Sequence, residues 1–266
     1  MTRIRLVVSD VDGTLVTRDK RLTPATRAAV DRLRRAGIHF SVTSSRPGFG
    51  LRMIIDTLHI DQPVGPFNGS SIVNPDLTVV EEQRVPQDAV ERSLALFERR
   101  GVDIWIFTGD TWVIRRDDGC YVDRERRAIA TEPFCAADDR PYHDRACKVV
   151  GVSGDFALLE RVEAELQAEL GDLAHAVRSQ NYYLDVTPPG ANKGSFVAAL
   201  ARRLGVPREA VATLGDMAND VPMFKASGMS FAMGNATAAI KREAGRVTAS
   251  NEDDGFASAV EEILKG

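Results

Sequence analysis

Two aspartates one residue apart, Asp10 and Asp12, follow an apolar run and lead into Gly13 and Thr14 in the segment Ser9-Asp10-Val11-Asp12-Gly13-Thr14. Carboxylates this close repel, and a shared divalent cation is one common remedy. The spacing lets one carboxylate face a metal and the other a reacting group, while Gly13 allows a sharp backbone turn. Taken alone, two such aspartates are more often the side chains of a polar turn. Three further clusters shift that balance. Ser44-Ser45-Arg46 offers a hydroxyl and a guanidinium able to hold phosphate oxygens. Lys193 sits in Asn192-Lys193-Gly194 at a helix start, where a cation opposes the macrodipole but, together with the helix N-terminus, makes a good anion site. Gly215-Asp216-Met217-Ala218-Asn219-Asp220 is a third acidic cluster, and capping by Asn219 or Asp220 does not explain Asp216. Acids, a hydroxyl and a lysine brought together suit a magnesium-bound phosphoryl group.

Such groups need a scaffold that delivers them to one place. Ile4 to Val8 reads as a buried strand ahead of Asp10, and Thr23-Pro24 as the N-cap and first-turn proline of a helix striped by Ala29, Val30 and Leu33 and ended by Gly37. Ile38 to Thr43 is the next strand, ahead of Ser44. Strand, helix and strand in this order build a parallel sheet, whose ligands bind at the carboxyl ends of the strands. The C-terminal third repeats the order: helix Gly194 to Leu204, strand Val211 to Leu214, helix Asp220 to Ala226, strand Met229 to Ala232, helix Thr237 to Ala244, strand Arg246 to Thr248 and helix Gly255 to Leu264.

The middle of the chain follows another pattern. A helix from about Asp88 to Arg99 leads to strands Val102 to Phe107 and Trp112 to Arg115 around the hairpin signal Thr108-Gly109-Asp110-Thr111. Strand Cys147 to Val152, a helix from about Phe156 to Leu170, and strands Leu173 to Val177 and Tyr182 to Val186 follow. The fold class expected is α/β: a doubly wound, Rossmann-like parallel-sheet core, residues 1–82 and 188–266, with an inserted α+β domain, residues 83–187. Pro75 to Pro86 and Thr187 to Ala191 read as linkers, and Gly119 to Asp144 as a long polar excursion. Tyr182 and Tyr183, adjacent on a strand, are expected to face opposite ways, and Arg124 to Arg127 to form a solvated face.

Composition narrows the setting without supplying chemistry. Of 266 residues, 44% are apolar and 27% charged, which excludes a disordered tail, a collagen or a disulfide miniprotein. Mean hydropathy is −0.18 and no apolar stretch is long enough to span a bilayer. A net charge of −4 gives no drive toward nucleic acid or an anionic membrane, and three cysteines without a C-x-x-C fit a reducing compartment, so a cytoplasmic protein is expected. The lysines are only Lys20, Lys148, Lys193, Lys225, Lys241 and Lys265, which makes the place of each informative.

In their order along the chain, Asp10-Val11-Asp12-Gly13-Thr14, the Ser44 segment, Lys193-Gly194 and Gly215-Asp216-Met217-Ala218-Asn219-Asp220 resemble the four motifs of the haloacid dehalogenase superfamily. The insert between the second and third motifs is similar to the cap of its Cof-type phosphatases. Leu22-Thr23-Pro24, Asn68-Gly69 and Met233-Gly234-Asn235-Ala236 are similar to further segments of that subgroup, so the resemblance spans essentially the whole chain.

The resemblance implies a double displacement. Asp10 would attack phosphorus and form an aspartyl phosphate. Asp12 would protonate the leaving alkoxide and then deprotonate the hydrolytic water. Ser44 and Lys193 would hold the phosphoryl oxygens, with Gly13, Ser45, Arg46, Asn68 and Asn219 around the phosphate or substrate. Mg2+ would be bound by Asp10, Asp216 and the Asp12 backbone carbonyl, with Asn219 and Asp220 completing or orienting its shell. The family usually reads Thr-Gly-Arg where this chain has Ser44-Ser45-Arg46, which keeps the hydroxyl and narrows the loop's backbone freedom. An acid at Asp12 favours phosphoryl transfer over dehalogenation, whose alkyl ester needs no protonated alkoxide. The partner implied is a small phosphorylated metabolite such as a sugar phosphate or phosphorylated cofactor. A phosphomutase would use the same residues. A phosphate-receiving or metal-binding module shares the acids, hydroxyl and lysine but needs neither Asp12 nor a cap.

Overall fold

Residues 2–266 are described by a computed structural model. The first strand, β1 (Leu6–Ser9), is buried throughout, with Ile4 buried just ahead of it. Next come α1 (Pro24–Arg35), whose N-cap Thr23 accepts from the Thr26 amide at 3.1 Å, β2 (His39–Val42) and α2 (Arg52–Leu58). A short antiparallel pair, β3 (Ser71–Val73) and β4 (Val79–Glu82), occupies part of the expected linker. The chain continues through α3 (Gln87–Arg100), β5 (Asp103–Phe107), β6 (Trp112–Ile114), α4 (Val122–Ile129), β7 (Phe134–Cys135), β8 (Lys148–Val152), α5 (Phe156–Leu170), β9 (His175–Gln180) and β10 (Tyr183–Thr187). It ends with α6 (Lys193–Arg203), β11 (Val211–Gly215), α7 (Val221–Lys225), β12 (Met229–Ala232), α8 (Ala238–Glu243), β13 (Arg246–Val247) and α9 (Gly255–Lys265).

Five strands form a wholly parallel sheet in the order β13-β12-β11-β1-β2. Both of its faces are covered, which is why β1 reads as a continuous apolar run. Leu6 and Val8 pack with Phe196, Leu200 and Met223 of α6 and α7, while Val7 packs with Leu33, Ile54 and Val260 of α1, α2 and α9. Since β1 is central, flanked by β11 and β2, the loops after these three strands must meet above its end. This is the doubly wound core expected.

The insert forms a second sheet, order β7-β6-β5-β8-β10-β9, antiparallel except for the β6/β7 pair. The hairpin between β5 and β6 closes where expected, the Thr108 amide donating to the Thr111 carbonyl at 2.9 Å. One face of this sheet carries Ile104, Ile106, Val149, Leu184 and Val186 against Val90, Phe97, Leu159, Val162 and Leu166 of α3 and α5. The opposite face carries Trp105, Phe107, Val150 and Tyr183, which meet Val122 and Ile129 of α4 and Phe67 of the core. By strand alternation Lys148 and Asp185 belong to this second, core-facing side.

Three expectations about the insert need correction. Gly119 to Asp144 is not a bare excursion, because it contains α4, whose Val122, Glu125 and Ile129 are buried at helical spacing. The Tyr182 and Tyr183 rings do not diverge. Tyr182 lies in the turn before β10, beside a register shift at Tyr183/Leu184, and the two rings meet edge to face at 4.6 Å. Nor are Arg124 to Arg127 simply a solvated face, since Arg124 stands over the Tyr182 ring at 5.2 Å.

Leu159 is fully buried between α5 and the second sheet. Its truncation in Leu159→Ala is expected to destabilise the protein by about 2–5 kcal/mol, measured as a lower urea midpoint.

Candidate active site

The residues at the ends of β1, β2 and β11, with the first turn of α6, converge as the strand order requires. Asp10 directly follows β1 and is buried. Lys193 Nζ donates to Asp10 Oδ1 at 2.6 Å and to Asp220 Oδ1 at 2.5 Å. An asparagine-serine capping box, Asn192 with Ser195, starts α6 at this point. Gly194 lets α6 come this near, because a Cβ there would lie 2.4 Å from the Pro222 carbonyl oxygen. Asp220 does two things at once: its Oδ2 accepts the Asp216 and Met217 amides at 2.8 and 2.9 Å, and its Oδ1 faces Lys193. Asp216 accepts from Thr14 Oγ1 at 3.2 Å and from Asn235 Nδ2 at 3.2 Å. Gly13, at φ +86°, passes so close that a Cβ would lie 2.3 Å from an Asp216 carboxylate oxygen.

Asp10, Asp216 and Asp220 each offer a carboxylate oxygen, all within 4.8 Å of one another. Burial pushes the Asp10 carboxyl up to about 7 even though the Lys193 ammonium pulls it down. Burial, with Asp10 and Asp220 nearby, also pushes Asp216 well up. Burial alone would lower the Lys193 pKa, but Asp10 and Asp220 outweigh it and raise it, so the ammonium keeps its proton. One ammonium thus faces three buried carboxylates, and Asp216 has no cationic side chain within 4.0 Å among the described residues. A hard, all-oxygen donor set with surplus negative charge fits a divalent cation such as Mg2+.

Asp12 lives in the opposite environment. Arg46 grips it with two hydrogen bonds, Nε to Oδ2 at 2.7 Å and Nη2 to Oδ1 at 2.8 Å, and Lys20 Nζ adds a third at 2.5 Å. Burial would raise this carboxyl, but Arg46 and then Lys20 overcome it and hold Asp12 well below the ordinary carboxylate range. Its side chain therefore stands apart from the Asp10, Asp216 and Asp220 trio. Lys20 reaches it from a residue with φ +60°, a left-handed conformation that costs a side chain on the order of 1–2 kcal/mol.

Ser44 is buried after β2, and its Oγ accepts the Arg46 amide at 3.2 Å. Asn68 and Asn219 are joined, Asn219 Nδ2 donating to Asn68 Oδ1 at 2.9 Å, and Asn68 Nδ2 reaches Asp185 Oδ2 of β10 at 3.3 Å. The Asn219 Oδ1 is buried with no partner. From the insert, Lys148 Nζ donates to the Ser45 carbonyl at 2.8 Å and stands 3.5 Å from Asp185. Arg46 Nη1 crosses the other way to the Ala128 carbonyl of α4 at 2.7 Å. A cavity of ≈ 30 Å³ remains between these groups, lined by Asp12, Lys20, Ser45 and Arg46 below and by Glu125, Lys148 and Tyr183 above.

All the candidate residues named from the sequence thus lie at or beside one place, while Lys20, Glu125, Lys148 and Asp185 were not among them. Lysine is scarce, and of the six Lys20, Lys148 and Lys193 stand here, whereas Lys225 is exposed and pairs with Glu243.

Comparison with known proteins agrees with the geometry. A family model described as haloacid dehalogenase-like hydrolase matches residues 7–260. A Haemophilus influenzae protein named "Putative phosphatase" is 30% identical over 261 residues, 97% of each chain. A Cronobacter sakazakii protein named HMP-PP phosphatase is 27% identical over 232 residues, covering 87% of this chain and 85% of its own. The crystal structure of a haloacid dehalogenase-like hydrolase from Bacteroides thetaiotaomicron, 29% identical, superposes with a TM-score of 0.86 over 98% of this chain and 100% of its own.

If the three aspartates hold a metal, Mg2+ at a hundred times its dissociation constant stabilises the wild-type protein by about 2.7 kcal/mol, seen as a rise in Tm. Asp216→Ala is expected to lose that rise. An equal rise in both proteins would place the metal elsewhere.

Proposed function

Given that the chain belongs to the haloacid dehalogenase-like hydrolases and is a phosphatase of their Cof type, we propose that it hydrolyses a small phosphate monoester through an aspartyl-phosphate intermediate, with Mg2+ bound. The observation that carries this reading is the convergence of Asp10, Lys193, Asp216 and Asp220 beside an Asp12 held in the opposite electrostatic state. We read residues 1–82 and 188–266 as the catalytic core and 83–187 as its cap.

In the first step Asp10 attacks phosphorus, and the ester oxygen leaves with a proton from Asp12. In the second, Asp12 takes a proton from water, which attacks the phosphorus of the aspartyl phosphate and releases Asp10. Lys193 and the Ser44 hydroxyl hold phosphoryl oxygens as charge shifts, and Asn219 and Asn68 stand beside them. Asp10, Asp216, Asp220 and the Asp12 backbone carbonyl would hold the ion, which when bound screens the carboxylate nucleophile from the anionic phosphoryl group.

Asp12 rests as a carboxylate, the state the second step needs. For the first step it must gain a proton. A phosphoryl dianion arriving between Asp10 and Asp12 raises the Asp12 pKa by like-charge repulsion and competes for the Arg46 guanidinium. Substrate binding thereby prepares the acid.

The ≈ 30 Å³ cavity is too small for a phosphate ester, so substrate entry in this reading has the insert lift away from the core. A roof this tight selects compact molecules, and relatives named HMP-PP phosphatase support a small phosphorylated substrate.

Hydrolysis of p-nitrophenyl phosphate is expected to require Mg2+ and to fall at least about a thousandfold in Asp10→Asn. Turnover surviving in that variant would sink the covalent mechanism. In Arg46→Gln the Asp12 pKa rises, because the guanidinium that lowers it is gone. The alkaline limb of the kcat profile, set by loss of the Asp12 proton, should therefore move up by about one pH unit or more. An unmoved limb would show that Asp12 is not the acid.

A further inference from the structure

Every buried charged side chain except Asp216 and Glu125 has an oppositely charged partner within 4.0 Å among the described residues. Asp216 belongs to the carboxylate cluster. Glu125, on α4, has no such account. It is 8% exposed, and the one hydrogen bond to its carboxylate comes from Tyr183 Oη, 3.1 Å from Oε2. The other oxygen makes none, and the side chain lines the cavity that begins at Asp12. The cations nearest in influence are Lys148 and Arg46, and both are engaged, Lys148 with Ser45 and Asp185, Arg46 with Asp12 and Ala128. That free oxygen opens on the cavity and is not sealed among protein atoms, so a ligand there that donates hydrogen bonds meets an unfilled acceptor.

The direction of the ligand follows from the chemistry already described. The ester oxygen takes its proton at Asp12, so the carbon skeleton of the leaving group extends from Asp12 toward Glu125 and the tyrosine wall. We propose that Glu125 is a specificity-determining residue whose carboxylate accepts hydrogen bonds from hydroxyl groups of the leaving group. The favoured substrate is then the phosphate monoester of a polyhydroxylated compound. A plain alkyl phosphate leaves the acceptor empty. Tyr183 acts as a positioning residue, its Oη–H fixing the carboxylate, while the Tyr182 ring under Arg124 packs against carbon. This inference rests on the phosphatase reading above.

Ribitol 5-phosphate and pentyl phosphate test it, two five-carbon esters that differ in their hydroxyls. Wild-type kcat/KM is expected to favour ribitol 5-phosphate over pentyl phosphate at least tenfold. Glu125→Gln, which keeps the shape and so the fold, should cut that ratio at least fivefold, Glu125→Ala should cut it further, and Tyr183→Phe should cut it less. An unchanged ratio in Glu125→Gln, or a wild-type preference for pentyl phosphate, overturns the role given to Glu125. Failure of the wild type to release phosphate from these esters and from p-nitrophenyl phosphate overturns the phosphatase reading itself, and this inference with it.

Discussion

Three carboxylates crowd a nearly dry space at the end of a parallel sheet, and much of the core is arranged to make that possible. In a medium of low dielectric their mutual repulsion is far larger than in water, and each also loses its hydration. Lys193 offsets part of this by bridging Asp10 and Asp220. To hold the ammonium there, α6 must begin beside β1, which in turn requires the capping box at Asn192 and a glycine where α6 meets Pro222. Asp216 is left with only neutral donors, Thr14 and Asn235, and burial first, with neighbouring carboxylates adding to it, pushes the Asp10 and Asp216 carboxyls up. A divalent cation bound by Asp10, Asp216 and Asp220 would supply the positive charge that Lys193 alone does not.

Asp10 and Asp12 show how neighbours of one chemical type can be given different work. Two residues apart on a turn, they point into different surroundings, one among carboxylates and the other between a guanidinium and an ammonium. Burial raises one and is overridden in the other. In the mechanism proposed above, divergent environments of this kind separate nucleophile from acid–base group without any difference in side chain. Gly13 is where the backbone reverses to allow it, at a φ that places its α-carbon against Asp216.

The core was legible because parallel strands covered on both faces read as unbroken apolar runs, and because the polar residues that end β1, β2 and β11 have no packing reason to be there. Boundaries moved by one or two residues, and Lys193 proved to be the first residue of its helix. The cap was less legible for physical reasons. In β8 every residue from Lys148 to Val152 is buried, so no alternation marks Lys148 as facing the core. The helix α4 reads VDRERRAI, opens at Tyr121 in a left-handed conformation without a side-chain cap, and buries only Val122, Glu125 and Ile129. Such a segment looks like a charged loop until a partner surface is supplied. Glu125 was invisible for the same reason: its burial comes from the cap meeting the core, not from anything adjacent in sequence.

That meeting surface is polar where it crosses the site, and it joins the insert to the loop that carries Ser44, Ser45 and Arg46. Lys148 holds the Ser45 carbonyl, Arg46 holds the Ala128 carbonyl, and Asn68 reaches Asp185 while also accepting from Asn219. The loop that presents the Ser44 hydroxyl is therefore braced from the cap side, and the asparagine beside Asp220 is braced through Asn68. Hydrogen bonds of this kind are worth little when solvated and more when water is excluded. In the proposed cycle, lifting the insert would wet these bonds and loosen Ser45, Arg46 and Asn68 together. Its return would re-form them, so a leaving group that fits under the insert would help assemble the groups proposed to act on its phosphate.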